Sequence, residues 1–137
     1  MPVATETSDR TASPGLGVTG VSHISLVVGD LDTARGFYEG FLGLQPMPTP
    51  DGADRAAHYR CGQTEIHLLL AEEHPRPSRR HVALLVKDFD RVLHALDRQR
   101  VHISGGPMRR AHDGSRYVFC HDPHGNLVEI TGPPQDD

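Results

Sequence analysis

One stretch of this chain occurs twice. The segment His23-Ile24-Ser25-Leu26-Val27-Val28-Gly29-Asp30-Leu31-Asp32 returns 58 positions later as His81-Val82-Ala83-Leu84-Leu85-Val86-Lys87-Asp88-Phe89-Asp90. Each copy opens on a histidine, runs through five mostly apolar residues with β-branched members, and ends in an x-Asp-apolar-Asp signal. The apolar run predicts a buried strand, and the Asp pair predicts a helix N-cap. After Asp30, residues Leu31, Ala34, Phe37, Tyr38, Phe41 and Leu42 fall on one helical stripe. Gly43 stands where a left-handed C-terminal cap is wanted. After Asp88, residues Phe89, Val92, Leu93 and Leu96 repeat the stripe up to about Arg100. Short strand-like runs at 56–61, 64–70, 117–120 and 127–131 complete the halves. The tetrapeptide Asp122-Pro123-His124-Gly125 predicts a tight turn into the last of them.

Each half therefore reads as a strand, a helix, and two or three further strands. A unit that small cannot bury both a sheet face and a helix alone, whereas two copies related by a pseudo-twofold axis can share one core. The 137 residues (15.0 kDa) suit one such domain. We place it at 20–132, with modules 20–73 and 78–132. Residues 1–19, rich in Thr, Ser, Pro and Gly, read as a disordered tail, and 133–137 as a polar one.

Composition narrows the function. The net charge of −4 argues against nucleic-acid binding by general electrostatics. No apolar run approaches the roughly 18 residues that span a bilayer. The two cysteines, Cys61 and Cys120, have no CxxC partner, and the first residues carry no apolar leader, so a reducing, cytoplasmic setting is expected. Histidine, at 10 residues, is the unusual figure.

The repeat organises those histidines. His23 and His81 open equivalent strands. The last strands match as Ile66-His67-Leu68 and Val128-Glu129-Ile130, with separations of 44 and 48 residues from the opening histidines. Symmetric packing would make His23, His67, His81 and Glu129 converge. Three imidazoles and a carboxylate suit one divalent ion, Zn, Ni, Fe, Co or Mn. Any one of these histidines taken alone is more simply a hydrogen-bonded core residue; Glu129, between Val and Ile, needs a partner to be buried at all. His58, His74, His94, His102, His112, His121 and His124 lie in polar or turn contexts and read as surface residues. Glu65 shares a strand face with His67 and reads as a solvated strand end, with a role beside the metal or as proton acceptor as the alternative. Arg60, Arg116 and Tyr117 are candidates to line a cupped sheet and hold an anionic substrate.

The opening HISLVVGDLDTARGFYEGFLGL, the second HVALLVKDFDRVL and the closing HDPHGNLVEI together resemble the vicinal oxygen chelate superfamily, which includes glyoxalases, bleomycin-resistance proteins, fosfomycin-resistance enzymes and extradiol dioxygenases. The resemblance covers about residues 20–131, and Ile66-His67-Leu68 with Arg80-His81 is most similar to small glyoxalase-like proteins. It implies an α+β fold of two paired βαβββ modules forming a cupped mixed sheet around a metal site, and commonly a homodimer. The ligand positions it implies are His23, His67, His81 and Glu129. In well-known glyoxalases the position of His67 is usually Glu, so this chain departs there, and Glu129 and His67 are the candidate catalytic bases. The expected activity is a metal-dependent lyase or isomerase working through a metal-stabilised enediolate on a small substrate with vicinal oxygens, with a thiol cosubstrate possible. An Fe(II) oxygenase using His23, His81 and Glu129 is the second reading. Thiol transfer to an epoxide is disfavoured, because the one lysine, Lys87, sits at a strand end. A drug-binding protein without chemistry is the remaining class.

Overall fold

A computed structural model describes residues 15–49, 54–72 and 78–135. Most of the expected N-terminal tail, the last two residues and His74 lie outside the described residues. Residues 15–22 are exposed and without helix or strand.

Two sequential modules make up the fold. The first holds β1 (His23–Val28), α1 (Leu31–Arg35), β2 (Gln45–Met47), β3 (Ala56–Cys61) and β4 (Thr64–Leu70). The second holds β5 (His81–Leu85), α2 (Phe89–Arg98), β6 (Ile103–Arg109), β7 (Arg116–His121) and β8 (Leu127–Gly132). Each is a four-stranded sheet, ordered β1-β4-β3-β2 and β5-β8-β7-β6. The first strand runs parallel to the last in each module, and the other pairs are antiparallel. The paired βαβββ, α+β architecture expected from the resemblance is therefore the observed one.

Both predicted N-caps form. The Asp30 carboxylate accepts from Asp32 N at 3.0 Å and from the Thr33 hydroxyl at 3.1 Å. Asp88 accepts from Arg91 N at 3.1 Å. Each cap contributes about 1 kcal/mol. The first helix loosens into a π-turn at Gly36–Phe41, where Leu42 N donates to Phe37 O at 2.8 Å. Gly43, at φ 76°, then ends it in the left-handed region. The strands β2 and β6 are less legible in sequence: β2 is three residues around Pro46, and β6 carries Gly105-Gly106-Pro107 with register shifts against β7.

Strand parity divides each sheet. Ile24, Leu26 and Val28, with Ile66 and Leu68 and with Ala57 and Tyr59, belong to the core. Val82 and Leu84, Val128 and Ile130, Val118 and Cys120 do the same in the second module, and both sets join one cluster with Leu31, Phe37, Tyr38, Phe89 and Leu96. The opposite face of each sheet carries the opening histidines together with exposed apolar residues such as Leu69 and Leu85.

A buried carboxylate links the modules. Asp122, 4% exposed, accepts from Tyr38 OH at 2.7 Å, from His124 N and Asn126 N at 2.9 Å each, and from Asn126 Nδ2 at 2.8 Å. Asn126 Nδ2 also donates to Val27 O at 2.9 Å, and Gly29 N donates to His124 Nδ1 at 2.9 Å. The turn before β8 is thereby fastened to the end of β1 and to the π-turn. Tyr38→Phe removes one donor from a buried charge and is expected to lower the unfolding free energy by about 1.5–3 kcal/mol in urea titration. Asp122→Ala should cost more than Tyr38→Phe, since it orphans every donor at once.

Candidate metal centre

Register places the candidate residues face by face. In the first module, His58 lies opposite His67 and Arg60 opposite Glu65, while His23 is the β1 partner of Glu65 and Ser25 that of His67. All therefore share the face away from the core. The His67 ring is sandwiched, 4.1 Å from His23 and 3.6 Å from His58, the latter within 6° of parallel. His67 Nε2 lies 2.9 Å from Glu65 Oε1, and Arg60 Nη2 reaches the same carboxylate at 3.4 Å. The hydrogen bond from His67, helped by the Arg60 charge, holds the Glu65 carboxyl below its ordinary range.

In the second module, Glu129 lies opposite Phe119 on one side and Ala83 on the other, with Thr131 opposite Tyr117 and Leu85. Glu129 is 3% exposed. Its Oε1 lies 3.0 Å from His81 Nε2, and its Oε2 accepts from the Thr131 hydroxyl at 2.7 Å and from Arg110 Nη2. Burial would raise its pKa, but donation from Thr131, Arg110 and His81 outweighs that and holds the carboxyl below its ordinary range. His81 Nδ1 lies 2.8 Å from Arg79 O. With Nδ1 directed at that carbonyl, Nε2 faces Glu129, and a metal held at Nε2 would replace the hydrogen bond made there.

The four expected ligands thus meet as two pairs, His23 with His67 on one sheet and His81 with Glu129 on the other. Among the described residues, the group of three or more donors whose ligand atoms lie within 4.8 Å of one another is a different one, His58, Glu65 and His67. Arg60 and Tyr117 take the expected faces: Arg60 beside Glu65, and Tyr117 under the Arg110 guanidinium, whose carbon is 4.2 Å from the ring centre. Arg116 does not. It projects from the helix-covered face of β7, paired with Asp90 at 2.8 Å and lying over the Phe89 ring. A one-residue step along a strand reverses the face, and that is the whole difference between Arg116 and Tyr117.

Several residues escaped the sequence reading. His58 and His124, expected at the surface, are half-buried and engaged. The signal for His58 was present: the two-residue turn Gly62-Gln63 pairs Cys61 with Thr64, which sets His58 opposite His67. Arg110 had no such signal, because it follows the irregular strand β6.

A face bearing imidazoles and carboxylates on each of two paired βαβββ sheets defines a class of domain suited to hold a divalent ion. The chain belongs to the Glyoxalase/Bleomycin resistance protein/Dioxygenase superfamily, whose model matches residues 20–130. It is similar to a glyoxalase/dioxygenase from Nostoc punctiforme, with a TM-score of 0.78, 25% identity, and coverage of 98% of this chain and all of that one. It is also similar to the mitochondrial methylmalonyl-CoA epimerase of Bos taurus, 26% identical over 87% of this chain and 77% of that protein. A third relative is Glyoxylase I 4 of Arabidopsis thaliana, 23% identical over 84% of this chain and 71% of that protein.

Since Glu129 is held below its ordinary value of 4.5, its share of stability is complete above that value and is lost as pH falls through the lower, folded-state value. In chelator-treated protein, Glu129→Gln is expected to flatten the acid limb of stability against pH, measured by denaturant unfolding from pH 6 downward.

Proposed function

We propose that this chain is a divalent-metal-dependent lyase or isomerase of glyoxalase type, acting on a small substrate with vicinal oxygens. The observation that carries the reading is Glu129, a buried carboxylate on the face away from the core, 3.0 Å from His81 and at the repeat position matched to His67. The donor set fits a first-row ion: His23, His67, His81 and Glu129 would hold it, and Arg79 O already orients His81 for the purpose. When bound, such an ion draws in two adjacent substrate oxygens and favours negative charge on the carbonyl oxygen.

The rest falls to the side chains. Glu129, ionised at neutral pH, is the base for the proton alpha to the carbonyl once Arg110 turns away from it. Arg110, freed from Glu129 and steadied by the Tyr117 ring, would meet an anionic group of the substrate. Glu65 and His67 form the second carboxylate–imidazole pair, on the other sheet, and can return a proton. Two acid–base pairs suit an isomerase, and the names of the relatives, an epimerase and a glyoxylase, support the same class. A thiol adduct or thioester as substrate belongs to this reading. So does a homodimer: the ligands divide between sheets, β1 and β5 are edge strands, and Leu85, on the His81 face of β5, is 87% exposed.

A binding protein without chemistry is the second reading, favoured by the Arg110–Glu129 ion pair, which neutralises the carboxylate without a metal. Metal analysis with a proton-exchange assay separates them. Protein purified without a tag or added metal is expected to hold about one divalent ion per chain and to exchange the alpha proton of 2-oxoaldehyde–thiol adducts or acyl thioesters in deuterated buffer. Glu129→Gln should slow that exchange by about a hundredfold or more. Ligand binding unaffected by chelator, with no exchange on any substrate, would establish the second reading instead.

A further inference from the structure

We infer that the first module carries an alternative metal site, formed by His58, Glu65 and the shared His67 on the face of β3 and β4 away from the core. It shares His67 with the paired-module set, adds His58 and Glu65, which that set does not use as ligands, and requires neither His81 nor Glu129, so a chain fills one of the two sites at a time. Its donors come from one rigid hairpin: His58 and His67 are direct cross-strand partners, and Glu65 stands two residues from His67 on the same face. One ligand atom from each lies within 4.8 Å of the others, and all three side chains are half-buried. The backbone thus fixes three donors before any ion arrives, so binding orders little that is not already ordered.

The chemistry points the same way. The His58 and His67 rings lie 3.6 Å apart and nearly parallel, which brings two imidazole donors side by side on one face. Glu65 supplies the carboxylate of the cluster, 2.9 Å from His67 Nε2. Two imidazoles and a carboxylate on a divalent ion suit Zn(II), Co(II), Ni(II) or Cu(II), with water completing the coordination, rather than Mg(II) or Ca(II). The rings reach a common ion by rotating about their side-chain bonds. His23, stacked on the far side of His67, limits that ring's movement. The competing cation is Arg60, which contacts Glu65 at 3.4 Å with a side chain 43% exposed, so it can turn into solvent as the ion enters.

The test uses the full chain with His81→Ala and Glu129→Gln combined, so that metal held between the modules is removed from the count. Zn2+ alone is titrated calorimetrically into the chelator-treated protein, and Co2+ alone is followed by visible absorption. The expected result is one equivalent bound per chain. Adding His58→Ala, or Glu65→Gln separately, should weaken that equivalent by about tenfold or more while circular dichroism shows an unchanged fold. Loss of all binding in the combined background overturns the site, and so does binding that is indifferent to both His58→Ala and Glu65→Gln. The two sites share His67, but these results come from protein lacking His81 and Glu129, whereas the proposed activity is read as proton exchange by Glu129 in the unsubstituted protein, so the two fail distinguishably.

Discussion

A βαβββ module with one short helix has too little material to close its own core, and everything else in the structure follows from the need to share one. Each sheet gives its apolar face to a common cluster in which Phe37, Tyr38, Phe89 and Leu96 are buried together with residues of both sheets. Hydrophobic contact is non-directional and would allow the modules to slide. Asp122 supplies direction. A carboxylate with almost no solvent must find donors, and it takes them from Tyr38 in the first module and from its own turn in the second. Burial and the adjacent carboxylate push the Tyr38 hydroxyl far above its ordinary range, which keeps it a donor at neutral pH.

Because the apolar faces are committed inward, the opposite faces are free for chemistry, and the same parity explains what is found there. Both outer faces pair an imidazole with a carboxylate at hydrogen-bond distance, 2.9 Å for His67–Glu65 and 3.0 Å for His81–Glu129. The surroundings differ. Glu129 is nearly inaccessible and is held ionised by Thr131, Arg110 and His81 acting together. Glu65 sits nearer solvent, with the histidine stack beside it. The second face is built to hold one carboxylate in place, and the first to gather imidazoles.

Arg110 is the residue that most changes the chemical picture. A guanidinium on Oε2 of Glu129 satisfies the charge that a divalent ion would otherwise satisfy. An ion on that carboxylate would have to displace Arg110, which already lies 4.2 Å from the centre of the Tyr117 ring.

The repeat by itself determined the elements: the two opening strands, both Asp N-caps, the helical stripes, the Gly43 cap and the turn at Asp122 were all readable, because each rests on interactions among residues close in sequence. It also determined that His23, His67, His81 and Glu129 occupy equivalent positions, since strand spacing alone sets that. Register decided the rest. Whether Arg116 or Tyr117 faces the outer surface, and that His58 lies against His67, depend on which residues sit opposite across a sheet. The ion pair of Arg110 with Glu129 depends on the path of an irregular strand, β6. Tertiary structure alone decided how the four expected ligands are grouped, in two pairs on two sheets, because convergence is a property of how modules dock, and a local pattern carries no information about that.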